Sequence, residues 1–161
     1  MHDQKHVLKI PIESIEENVI AEPRIPCSEE EVQEVLQDLY LAVDNKTYIP
    51  AVSTEENPAL SDYYVFNIDD EHEVLKDLRI ENLVGKVKDL SKGAKKRRER
   101  GLPQEYLYVF KYACRLMKKE MDDTSSEPML ENVLIYIKIN DRKIPEEKVI
   151  VVSFHKNNSK E

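Results

Sequence analysis

An α+β fold in one domain, with a largely antiparallel sheet packed against two or three helices, is what the sequence predicts. Three observations predict it. Ser28 opens a well-capped amphipathic segment; the last quarter of the chain holds two strongly β-forming runs; and strands flank a helical middle instead of alternating with helices. At 161 residues, one hydrophobic core suffices. The apolar fraction of 40% with 35% charged residues stays clear of the disordered range, and three Gly and two Cys exclude collagen-like and disulfide-scaffold classes.

Residues 6–12 alternate as a strand, and Pro11 pushes it toward a sheet edge. A short extended piece follows at 18–21, before the Pro23 and Pro26 loop. Ser28 and Glu31 then form a capping-box pair, with Glu29 and Glu30 in the dipole-favoured first turn. Val32, Val35, Leu36, Leu39, Tyr40 and Val43 recur at helical spacing, so a helix over 28–43 turns one stripe to the core. Residues 47–52 read as a strand, 53–61 as a loop and 63–68 as a strand. From Asp69 to Lys92 the apolar spacing is helical, as one helix or as two broken near residues 80–82.

Pro103 suits a first helical position, and Tyr106, Phe110, Ala113, Cys114, Met117 and Met121 then predict a helix over 103–121. A polar loop spans 122–128. Residues 132–140 and 148–155 predict a C-terminal β-hairpin, and 156–161 a disordered tail. Leu36 and Phe110 are core residues on this reading.

The charge is unevenly placed. The chain as a whole carries −8, but residues 1–91 carry −13, residues 92–121 carry +7 and residues 122–161 carry −2. The basic island starts with Lys92, Lys95, Lys96, Arg97, Arg98 and Arg100, read as an exposed segment over 92–101. On a helix over 103–121, Tyr108, Lys111, Tyr112, Arg115 and Lys119 would share one face. Lysine and arginine neutralise phosphates, and interleaved tyrosines stack on unpaired bases. The leading expectation is therefore a small, non-catalytic nucleic-acid-binding or regulatory protein acting through these residues. The alternatives are an acidic protein partner docking on the island, and a plain solvated surface with cations capping helix carbonyls.

Two rival readings use other residues. The acidic surface over residues 13–44, including Glu13, Glu16, Glu17, Glu22, Glu29, Glu30, Glu34 and Asp38, would attract a basic protein, making the chain an adaptor or inhibitor. Asp69, Asp70 and His72 would suit a divalent-metal enzyme, although acids at a helix start need no metal to explain them. No Gly-rich phosphate loop and no cysteine pair at zinc spacing is present, so neither cofactor nor catalytic residue is expected. Cys114 reads as a small buried hydrophobe, and Cys27 sits where a helix dipole would favour the thiolate. The absence of a signal-like N-terminus or a membrane-length apolar run predicts a cytoplasmic protein without membrane contact, with homo-oligomers possible.

Overall fold

The computed structural model describes residues 7–11, 24–50, 60–119, 129–144 and 147–156. Among the described residues, three helices and six strands form the predicted α+β architecture: β1 (Leu8–Lys9), α1 (Glu29–Asp44), β2 (Ile49–Pro50), α2 (Ile68–Asp77), β3 (Leu83–Lys88), α3 (Lys92–Glu99), β4 (Tyr106–Met117), β5 (Leu130–Ile144) and β6 (Glu147–Lys156). The sheet runs β1-β4-β5-β6-β2, and only the β2–β6 pair is parallel. β1 and β3 share the outer edge of β4: β3 lies along Tyr106–Phe110 and β1 beside Cys114–Arg115.

Helix α1 forms as its spacing predicts. Ser28 Oγ accepts the Glu31 N–H at 3.1 Å, and Val32, Val35, Leu36, Leu39, Ala42 and Val43 are buried. Helix α2 has a complete capping box, with Asn67 Oδ1 accepting from Asp70 N–H and the Asp70 carboxylate accepting from Asn67 N–H, each at 2.9 Å. These helices cover one sheet face, where Phe110, Tyr112, Cys114, Leu116, Val133, Ile135, Ile137, Ile139, Ile150 and Val152 complete the core.

Three predicted elements change. Residues 106–117 form strand β4, not a helix: aromatic and β-branched residues at 106–110 favour a pleated surface, and unbroken pairing with β5 from Tyr108↔Ile139 to Met117↔Leu130 satisfies the backbone. The helical stretch from Asp69 ends at Asp77; a turn of 3₁₀ helix at Ile80–Asn82 leads into β3, and the buried Asn82 donates to Lys111 O at 3.0 Å. The strand expected at 63–68 reduces to one bridge, Tyr64↔Lys118, before Asn67 caps α2. The C-terminal hairpin is as predicted but longer, since β5 and β6 pair out to Ile144↔Glu147. Thr47–Val52 is represented by β2, with 51–52 outside the described residues. Residues 18–21, most of 53–61, 122–128 and the tail beyond Lys156 also lie outside them. Among the described residues, no helix is long and apolar enough to cross a membrane.

Candidate functional site

Because β4 is a strand, its side chains alternate between two faces. Tyr106, Tyr108, Phe110, Tyr112, Cys114 and Leu116 point toward the face covered by α1 and α2. Leu107, Val109, Lys111, Ala113, Arg115 and Met117 point the other way. The predicted grouping of Tyr108 and Tyr112 with Lys111 and Arg115 therefore separates. Tyr112 is buried, its hydroxyl donating to Asp77 at 2.7 Å, and Tyr108 donates to Glu31 at 2.5 Å. Burial, with the neighbouring carboxylate, raises both phenol pKa values. Neither ring is presented for stacking beside the cations. Lys119 lies exposed just past the end of β4.

The register adds partners that the sequence did not disclose. Across from β4, strand β5 sets Tyr136 opposite Lys111, Lys138 opposite Val109 and Asn132 opposite Arg115, with Arg115 Nε donating to Asn132 Oδ1 at 3.0 Å. On β4 and β5 this second face thus carries Lys111, Arg115, Lys138 and Arg142 and no carboxylate, while Glu131 and Asp141 fall on the helix-covered face. Lys111, Tyr136 and Lys138 are half-buried and Arg115 is exposed. Arg24, next to the isolated bridge between Ile25 and Lys86, sets its guanidinium 5.9 Å from the Tyr136 ring.

Residues 92–101, predicted as an exposed segment, contain the short helix α3. Ser91 Oγ caps it by accepting the Ala94 N–H at 3.3 Å, and Gly101 leaves it with φ +95°, a conformation suited to glycine. Ala94 is fully buried, so one side of α3 is packed. Arg97 lies on that side as a fork on Glu105, with Nε–Oε2 at 2.5 Å and Nη2–Oε1 at 2.9 Å. Asn140 completes the clip by donating to Asp89 at 2.7 Å and Glu105 at 2.9 Å, and Arg142 Nε lies 3.8 Å from Glu105. Hydrogen bonding from Arg97 holds the Glu105 carboxyl below its usual range, against the opposing effect of burial. Arg97 is thus a structural cation. Lys92, Lys95, Lys96 and Arg100 are exposed, Arg98 is half-buried, and none of the exposed four has a carboxylate partner among the described residues.

The clip puts α3 at the end of the cationic sheet face, because Asn140 and Arg142 belong to that face. At the same end lies a cavity of about 600 Å³ between the start of α1, the loop 102–105, and strands β4 and β5. Its wall includes Glu31, which accepts from Lys86 Nζ at 2.5 Å and from Tyr108. The Lys86 bond is the main reason the Glu31 pKa falls, and Glu31 in turn raises that of Lys86. Nearby Cys27 has its thiol pKa raised, by burial first and by Glu31 second, so the thiolate is disfavoured there despite the following helix. Cys114 is fully buried, which pushes its pKa to about 12, in keeping with a packing role.

Of the proposed metal residues, Asp69 is exposed and Asp70 and His72 make other contacts. Asp70 is spent on the α2 capping box, and Glu71 accepts the Tyr48 hydroxyl at 2.6 Å. His72 meets the Tyr48 ring edge-on at 5.6 Å. Among the described residues, no group of three or more His, Cys, Asp or Glu side chains is arranged to hold a metal ion. Comparison of the chain with protein-family models, curated proteins and solved structures finds no match.

Proposed function

We propose that this chain is a non-catalytic nucleic-acid-binding protein that contacts the phosphate backbone through α3 and the adjoining face of β4 and β5. One observation carries this reading: the strands place Lys111, Arg115, Lys138 and Arg142 on a single face on which β4 and β5 bear no carboxylate, Glu105 at its end being engaged by Arg97, Asn140 and Arg142, and α3 and its C-cap add four exposed cations at that end. In a chain of net charge −8, such segregation creates a local positive field that the overall balance conceals. Condensed counterions released from the polyanion would supply the affinity. A stacking contribution would come from Tyr136, which shares the cationic face, and not from Tyr108 or Tyr112.

The reading is tested by titrating a dye-labelled single strand and a duplex while following fluorescence anisotropy. Replacing Lys95, Lys96, Arg115 and Lys138 together by Ser is expected to weaken binding at least about tenfold and to make the salt dependence shallower by roughly 0.7–0.9 in log–log slope per lost phosphate contact. Tyr112→Phe, which alters only the helix-covered face, is expected to leave binding unchanged. Equal binding by the fourfold variant and the parent would remove the proposal. A second reading rests on α1, whose Glu29, Glu30 and Glu34 are exposed: binding of a basic protein, abolished by their replacement with Gln, would favour it.

A further inference from the structure

The cavity between the start of α1, the loop 102–105 and strands β4 and β5 lies where the cationic face ends, and its wall takes Asn140 and Arg142 from that face. At about 600 Å³ it falls within the roughly 300–1,000 Å³ of small-molecule sites. Val35, Leu102 and the Tyr106 ring give it an apolar lining. Lys86 covers one face of that ring, its ammonium 4.7 Å from the ring centre, without belonging to the wall.

Hydrogen bonds made inside the protein fix what the wall can offer a ligand. Gln104 Nε2 donates to Glu105 O at 2.8 Å, and Asn140 Nδ2 donates to Asp89 at 2.7 Å and to Glu105 at 2.9 Å. Both amide nitrogens are thereby committed, while the oxygens Gln104 Oε1 and Asn140 Oδ1 have no donor among the described residues. Arg142 Nε is buried without a hydrogen bond, since the Glu105 carboxylate, 3.8 Å away, is beyond hydrogen-bond reach. A buried donor without an acceptor is costly, so a ligand that supplies one is favoured there. The wall's carboxylates do not enter the match, Glu31 being held by Lys86 and Tyr108, and Glu105 by Arg97 and Asn140.

Two acceptors, one forked donor and an aromatic ring call for a planar heterocycle with donors on one edge and acceptors on the next. Guanine has both: its N1–H and N2–H₂ donate, and its O6 and N7 accept a guanidinium in bidentate fashion. Adenine sets the N1 acceptor and the N6–H₂ donor in the corresponding places, so it opposes the same groups. We infer that this cavity recognises an unstacked guanine base, laid against Tyr106, with Arg142 on its O6 and N7 and the amide oxygens of Gln104 and Asn140 on its N1–H and N2–H₂. That the base arrives within a single strand rests on the nucleic-acid reading above; the recognition itself does not. The shared Asn140 and Arg142 make the cavity continuous with the face along which such a strand would run.

Two assays on the full chain test the inference. Calorimetric titration compares guanosine 5′-monophosphate with adenosine 5′-monophosphate, which share the sugar and the phosphate. Fluorescence anisotropy compares a short labelled oligouridine carrying one central guanosine with the same strand carrying adenosine. The expected result in both is a guanine preference of about fivefold or more, the discrimination of one bidentate contact. Arg142→Lys keeps the charge but loses the fork and should bring that ratio close to one, and Gln104→Leu should reduce it. Tyr106→Leu should weaken the guanosine strand by about 5- to 100-fold, the loss of one stacked base. Thermal melts establish that each variant folds, and Gln104→Leu and Tyr106→Leu decide the matter if Arg142→Lys does not fold. Absence of a guanine preference in both assays overturns the inference, and strands that still bind with steep salt dependence would leave the nucleic-acid reading standing without it. A preference that Arg142→Lys and Gln104→Leu both leave intact also overturns it. Guanosine monophosphate preferred, with no strand bound at about 50 mM salt, supports the cavity, gives it a free nucleotide as ligand and removes the nucleic-acid reading instead.

Discussion

Phe110→Ala is expected to destabilise the fold by about 3–5 kcal/mol, the usual cost of emptying a buried aromatic site. Phe110 is fully buried in the middle of β4, with Ile137 opposite it on β5 and Leu83 opposite it on β3. Its neighbours come from backbone-paired strands, which cannot close around the void without breaking register. Urea unfolding followed by far-ultraviolet circular dichroism measures the loss. Arg115→Ala, at an exposed position on the opposite face of the same strand, is the matched control and should change stability by less than about 0.5 kcal/mol. A loss below about 1 kcal/mol at Phe110 would contradict the packing described.

Glu105→Gln is expected to cost about 3 kcal/mol at neutral pH, because breaking a largely buried ion pair leaves an uncompensated charge. The Arg97 and Glu105 side chains are only 16% and 12% exposed, and Arg142 and Asn140 lean on the same carboxylate. The pH dependence has a defined sign. The folded-state pKa of Glu105 lies below its ordinary value of 4.5, so its contribution is complete above about pH 4.5 and is lost as the pH falls through the lower folded value. Glu31 and Asp77 are depressed in the same direction, for Asp77 by Tyr112 and Lys9 hydrogen bonds that outweigh its burial. The parent should therefore lose stability in acid, and Glu105→Gln should lose less between pH 4.5 and the parent's acid unfolding. Denaturant midpoints measured across that range check it, and parallel curves for the two proteins would contradict the role given to Glu105.

The core was more legible than the elements that carry it. Tyr106, Phe110 and Cys114 are spaced by four, and a four-residue step keeps one face both in a helix and in a strand. Both periods therefore put Phe110 and Cys114 inside. The two periods part at Tyr108 and Tyr112, which a helix places beside Lys111 and Arg115 but a strand places beside Phe110. Helix-start chemistry at Pro103, Gln104 and Glu105 favoured the wrong period, since Glu105 serves Arg97 and not a helix dipole. Pairing with β5 overrode that local signal. The same pairing brings Tyr136 and Lys138 onto the face of Lys111, a juxtaposition that no spacing within one segment can reveal. By contrast α1 was readable because cap and periodicity agreed there, and the C-terminal hairpin because both of its runs are strongly β-forming. The basic island was visible as composition, but the capture of Arg97 by Glu105 depends on how α3 meets the strands.

The affinity of the parent chain for a labelled duplex and a labelled single strand, measured as salt is raised, tests the central claim most directly. With about five phosphate contacts, the slope of log affinity against log salt should be near −4.5 for duplex and −3.5 for single strand, so a fourfold rise from about 50 mM weakens binding by roughly 100- to 500-fold. No detectable binding of either form at about 50 mM salt, where such contacts are strongest, or an affinity indifferent to salt, would contradict it.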